Sequence, residues 1–299
     1  MTADHLVRDF VGYGRKRPDP MWPGNARVAV NFVINYEEGS EASVPDGDEI
    51  TEAGLTEGGS GSFIGRDLAA ESMFEYGSRV GIWRLMNVFG KAGAPATVFA
   101  CSQALVRNPD VVFAIKQSKF DVCGHGLRWV RHQSLSEDEE RTAIATAYEQ
   151  IAELMGEAPA GWYCRYAPTE NTRRIVVEHG GYSYDSDSYN DELPYWTEVG
   201  GRKHLVVPYS LANNDAKFAR GNLGTPDAFF THLRDCFDML YEEGAHQPSM
   251  MTIGLHCRIA GHPGRALGLR RFVHHVQAHQ DVWICRRKDI ADHWIKAHS

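Results

Sequence analysis

Four short apolar runs in this chain end in side chains that could carry out acid–base chemistry. Val28–Ile34 leads into Asn35-Tyr36-Glu37-Glu38-Gly39. Phe120–Cys123 leads into His125, set between Gly124 and Gly126, with Arg128-Trp129 just beyond. Gly161–Cys164 runs into Arg165, ahead of Glu170-Asn171-Thr172-Arg173, and Ile253-Gly254-Leu255 ends in His256-Cys257-Arg258. Each signal has a bland counterpart, since a Glu-Glu pair is commonly a solvated loop edge and a histidine at a strand end is commonly structural. Together they carry more weight. A buried strand has no packing reason to finish in two adjacent acids, because an unpaired buried carboxylate is costly. A carboxylate, two imidazoles and a guanidinium are the working parts of general acid–base catalysis with charge stabilisation.

The elements that would position these groups alternate along the chain. Strand-like runs fall at 28–34, 96–100, 120–123, 161–164, 182–184, 204–208, 250–255 and 282–285. Helical spacing of apolar residues falls at 81–91, 109–117, 137–155, 172–179, 226–243, 265–279 and 288–296. The sharpest helix is 137–155, opened by a Ser136/Glu139 capping box and closed by Gly156 and Pro159. Repeated β-then-α units imply parallel strands with right-handed crossovers, so all four polar strand ends should meet at one rim. The expected fold class is α/β, a distorted (β/α) barrel. Residues 1–299 are read as one barrel domain, with an N-terminal arm at 1–25 and a Gly/Ser-rich, acidic loop insertion at 40–62. That loop directly follows Glu37-Glu38, as an active-site cover or a plain insertion would.

Composition narrows the function. A chain of 299 residues suits one barrel of roughly 250 residues with insertions. Its net charge of −8 excludes the basic face that nucleic-acid binding needs. No apolar run reaches the roughly 20 residues of a membrane span, and the N-terminal residues carry no secretory signal. The six cysteines form no CxxC pair and read as thiols packed as small hydrophobes. A cytoplasmic enzyme is the expectation. Gly58-Gly59-Ser60-Gly61 lies in a loop rather than between a strand and a helix, so it is no phosphate cradle.

The order and spacing of the strand-end motifs resemble the polysaccharide deacetylase (NodB-homology) superfamily over nearly the whole chain. The similarity is closest to the allantoinase-like branch, at Asn35-Tyr36-Glu37-Glu38-Gly39, His125-Gly126-Leu127-Arg128-Trp129, Tyr184–Tyr189, Leu193-Pro194-Tyr195-Trp196, Gly254–Arg258 and Gly261–Arg265. The resemblance implies a distorted barrel of about seven strands and hydrolysis of a non-peptide C–N bond. Metal-dependent members read Asp-x-Asp where this chain has Asn35 and Glu37, and His-x-x-x-His where it has His125 and Trp129. Two matched metal ligands remain, fewer than the three that a divalent site needs. His132 could replace the missing imidazole, but the polar run Arg131-His132-Gln133 reads as solvent-facing. No tightly bound cofactor is therefore expected, with a weakly held zinc as the alternative. The segment Cys164–Arg173 departs from allantoinase-like members towards cyclic-imide hydrolases of the same superfamily.

The expected activity is metal-free opening of a cyclic amide, imide or ureide such as allantoin. Glu37 would be the base, or would orient a His125 base; His256 would be the general acid or bind the oxyanion. Arg165 would hold a neighbouring carboxylate or a substrate carbonyl, and Trp129 and Tyr36 would wall a flat heterocycle. Glu170 and Asn171 would bond ring N–H and C=O groups, unless Asn171 is only a helix N-cap. Asp185 and Asp187 would pair with Arg165 or end their strand. The competing readings are metal-dependent N-deacetylation of chitin- or peptidoglycan-like sugars and a non-catalytic barrel that binds a small ligand. By analogy the resemblance implies a symmetric assembly such as a tetramer.

Overall fold

Strand β1 (Val28–Tyr36) is buried along its whole length and sorts its side chains by the two-residue period of an extended chain. Val28, Val30, Phe32, Ile34 and Tyr36 pack outward against Leu85, Phe89, Leu269 and Phe272. Val33 points the other way, into a cluster with Phe99, Cys123, Tyr163 and Tyr209. Asn31, Asn35 and Glu37 follow this inward alternation. The computed structural model describes residues 6–58, 62–166 and 168–299.

The further strands are β2 (Ile50–Glu52), β3 (Ser62–Ile64), β4 (Thr97–Ala100), β5 (Asp121–Gly124), β6 (Gly161–Trp162), β7 (Tyr184–Asp185), β8 (Tyr195–Val199), β9 (Arg202–Val206), β10 (Ser249–His256) and β11 (Val282–Cys285). Among the described residues the main sheet has nine strands, in the order β10-β1-β4-β5-β6-β7-β9-β8, with β11 also paired to β1. Neighbours from β10 to β9 run parallel, while β8 folds back on β9 in antiparallel register. This curled, mostly parallel sheet is a half-barrel. β1 serves three partners: β10 along one edge, and on the other β11 beside residues 28–31 and β4 beside residues 33–36.

The helices are α1 (Leu68–Tyr76), α2 (Ile82–Ala92), α3 (Ser102–Arg107), α4 (Pro109–Gln117), α5 (Glu137–Met155), α6 (Thr172–His179), α7 (Ala216–Ala219), α8 (Pro226–Glu243), α9 (Pro263–Gln277) and α10 (Arg287–His298). A five-residue π-helical turn, Gly77–Gly81, joins α1 to α2. At the start of α10 the buried Arg287 spans the interior of the curl. Its guanidinium donates to Asn31 Oδ1 at 2.9 Å, Thr252 Oγ1 at 3.0 Å, Ser186 Oγ at 2.9 Å and the Pro208 carbonyl at 2.9 Å. These acceptors satisfy a cation that faces no carboxylate, and they pull the open sides of the sheet together below the catalytic rim. The stretch after β1 carries β2, paired antiparallel with β3.

Candidate functional site

Parallel register brings the ends of β1, β5, β6 and β10 to one rim, and four expected groups line a single cavity of about 1100 Å³ there: Glu37, His125, Arg165 and His256. Glu37 is fully buried and central. Its Oε1 lies 3.2 Å from His125 Nε2 and 3.6 Å from His256 Nε2, and its Oε2 lies 2.8 Å from the Arg258 guanidinium. Burial pushes the Glu37 carboxyl up, but Arg258, His256 and His125 outweigh it and hold the group far below the usual carboxylate range.

Each imidazole is oriented from behind. His125 Nδ1 donates to the Tyr163 carbonyl at 2.8 Å, which turns Nε2 towards the cavity. His256 Nδ1 is 2.6 Å from Asp215 Oδ1, while Asp215 Oδ2 accepts the backbone N–H of His256 and of Ala260. Burial works against a charge on His256, yet Asp215 and Glu37 prevail and raise its pKa. Asp215 ends the turn before α7 and is wholly buried.

The far wall is flat. Arg165 stacks over the Trp129 indole at 3.8 Å, donates to the Trp129 carbonyl at 2.9 Å and pairs with Glu52 at 2.7 Å. Glu52 comes from β2, so the stretch after Glu37-Glu38 supplies part of the cavity lining, with Ala42, Asp48, Glu49, Ile50 and Leu55. Glu38 sits behind Glu37, where its Oε1 accepts from the Arg258 backbone at 3.1 Å and guanidinium at 3.2 Å.

Several expected placements are corrected. Tyr36 does not wall the cavity, because as the outward-facing neighbour of Asn35 and Glu37 it bonds Ser78 Oγ at 2.7 Å on the helical side. Glu170 is exposed, and Asn171 heads α6 with its Oδ1 on Arg174; neither lines the cavity. The side chain that caps the α6 backbone is Thr169, two residues earlier than Asn171. Asp185 pairs with Arg173 and His204, and Asp187 accepts the Cys164 N–H, so neither reaches Arg165. His132 is buried rather than solvent-facing, 2.8 Å from Glu140 Oε1 beneath Trp162. The cysteines are free thiols, and burial pushes Cys164, beside Arg165, well up.

The chain is 40% identical over 314 residues to a putative polysaccharide deacetylase of Schizosaccharomyces pombe, covering 98% of each protein. The chain belongs to the polysaccharide deacetylase family. The family's sequence pattern, polysaccharide deacetylase, matches residues 67–184. Two solved structures superpose on it with a TM-score of 0.94 over 97% of this chain and 98% of theirs. One is a probable polysaccharide deacetylase from Pseudomonas aeruginosa PAO1, 46% identical, and the other is Puue allantoinase, 45% identical. The match to the allantoinase-like branch follows, and with it an enzyme that hydrolyses carbon–nitrogen bonds.

In this deacetylase-family chain the donors needed for a divalent ion do not come together at the cavity. Trp129 fills the place of the second imidazole, His132 is spent on Glu140, and the Arg258 guanidinium occupies the space between Glu37 and Glu38. Among the described residues, the His/Cys/Asp/Glu trio with donor atoms all within 4.8 Å of one another is Asp238, His275 and His279, on α8 and the end of α9. Three site residues escape a reading of strand ends. Asp215 has only the polar run Asn213-Asn214-Asp215 to mark it, Glu52 lies in an unremarkable loop, and Arg258 was visible but carried no assigned role.

Proposed function

We propose that this protein opens a cyclic amide, imide or ureide by hydrolysis without a resident metal. The observation that carries this reading is the convergence of two imidazoles on one carboxylate oxygen, beside an arginine-capped indole wall. Puue allantoinase, at 45% identity over nearly the whole chain, supports a ureide-type ring as substrate. The His125–Glu37 pair takes the proton of the attacking water. His256, held cationic by Asp215 and Glu37, delivers a proton to the ring nitrogen as the C–N bond breaks, so the products are a carboxylate and a freed amide or urea nitrogen. The low pKa of Glu37 makes it a poor base alone and a good orienter of its histidine. Arg165 and Glu52 offer a donor and an acceptor side by side above Trp129, complementary to the alternating C=O and N–H of such rings. A cytoplasmic location and a symmetric homo-oligomer belong to the same reading.

The test is turnover by chelator-treated protein of allantoin, five- and six-membered cyclic imides and N-acetylglucosamine oligomers, with metal content measured alongside. Ring opening should survive chelation and drop at least about a hundredfold in His125→Ala. Acetate release that zinc restores would replace this reading with sugar N-deacetylation, and saturable binding without product would replace it with a binding barrel.

A further inference from the structure

We propose that Asp238, His275 and His279 form a surface site for one zinc ion, on the α8–α9 pair and away from the residues that line the catalytic cavity. His275 and His279 lie four residues apart, so helical geometry sets both rings over one face, and Asp238 reaches them from α8. Their donor atoms already lie within 4.8 Å of one another. Zinc with ligands at about 2.0–2.1 Å needs them about 3.3 Å apart, which rotation of the exposed Asp238 can supply.

The surroundings hold the rings in place. Phe237 meets both imidazoles edge-on, at 5.6 Å from His275 and 5.0 Å from His279, and Tyr241 packs on His279 at 5.0 Å. His279 Nδ1 donates to the His275 carbonyl at 2.8 Å, leaving the Nε2 lone pair bare, which is the arrangement that orients a zinc-bound histidine. His275 Nε2 now shares a proton with Asp238 Oδ1 at 2.6 Å. Ligation requires that nitrogen bare, with the ring proton on Nδ1, so zinc takes the position of the shared proton. Two imidazoles and a carboxylate leave a fourth position for water, and this mixed N/O set suits zinc better than magnesium or calcium.

Titration of the metal-stripped full chain with zinc chloride, followed by calorimetry and thermal melting, tests this. Wild type should bind one equivalent at this site and melt higher with zinc than without, because the ion binds the folded state. His275→Ala/His279→Ala and, separately, Asp238→Asn should weaken that binding at least about tenfold, while His125→Ala leaves it unchanged. Affinity that is equal in wild type and the double variant, absent in wild type, or lost in His125→Ala would overturn the proposal.

Discussion

His256 has an acid on each ring nitrogen, Asp215 at 2.6 Å from Nδ1 and Glu37 at 3.6 Å from Nε2. A general acid must keep its proton until the leaving nitrogen needs it, and these two carboxylates raise His256 against the pull of burial. Its loss of that proton sets the alkaline limb of kcat/KM. Asp215→Asn removes the stronger of the two supports, so the limb should move to lower pH and kcat should fall by about 10²–10⁴. A pH–rate profile with an unmoved alkaline limb would remove His256 from the acid role. Glu37, His125, Arg165 and His256 were legible because each follows an apolar run, and the parallel order of the strands places such ends together. Asp215 was not, because it lies in a loop and is tied to the site only through folded contacts with His256. Tyr36 shows the opposite error. Its neighbours Asn35 and Glu37 share the inner face, and strand alternation alone should have sent Tyr36 outward.

At the scale of elements, the joint between α1 and α2 controls how closely the helical layer approaches the catalytic strand. A Cβ on Gly81 would fall on the Cys257 carbonyl, between His256 and Arg258. In an ordinary helix Gly→Ala would stabilise by about 1 kcal/mol. Here the backbone carbonyl cannot rotate away as a side chain would, so Gly81→Ala should destabilise by about 1–3 kcal/mol in urea unfolding and lower turnover by disturbing β10. A stabilised, fully active variant would show that this approach is not constrained. Such joints are hard to read from sequence, since the spacing shows helical residues at 81–91 but not the π turn that precedes them. Elements with their own punctuation were plain. α5, with its capping box, and α6 and α8, with their Gly and Pro signals, fall where the spacing places them. The β8–β9 hairpin was passed over although Gly200-Gly201, both at positive φ, mark a two-residue turn.

For the molecule as a whole, the half-barrel was readable because alternating strands and helices leave few topologies, whereas its electrostatics depend on burial that no sequence pattern reports. Burial raises Glu41 to about 7 and Asp121 to about 6. Both are then protonated in the folded state across a range where the unfolded chain has ionised them. A group with a raised folded pKa gives its full stabilisation below its unfolded value, and this is lost as pH rises through the folded one. Raised His256 acts in the same sense, while Glu37, held low by Arg258 despite its burial, loses its contribution only well below pH 4.5. Stability should therefore peak near the acid end of the usual pH 5–8 range and decline towards pH 8. Glu41 dominates the test because it is largely buried, its Oε2 accepts the Gly39 N–H at 2.7 Å, and its backbone bridges to Trp129 at the cavity wall. Raising it from 4.5 to about 7 corresponds to about 3 kcal/mol lost between pH 5 and 8. Urea unfolding of wild type at the two pH values should show that decline, and Glu41→Gln, which cannot ionise, should flatten most of it. An equally steep decline in Glu41→Gln would assign the loss to other buried groups and leave Glu41 ionised in the folded protein.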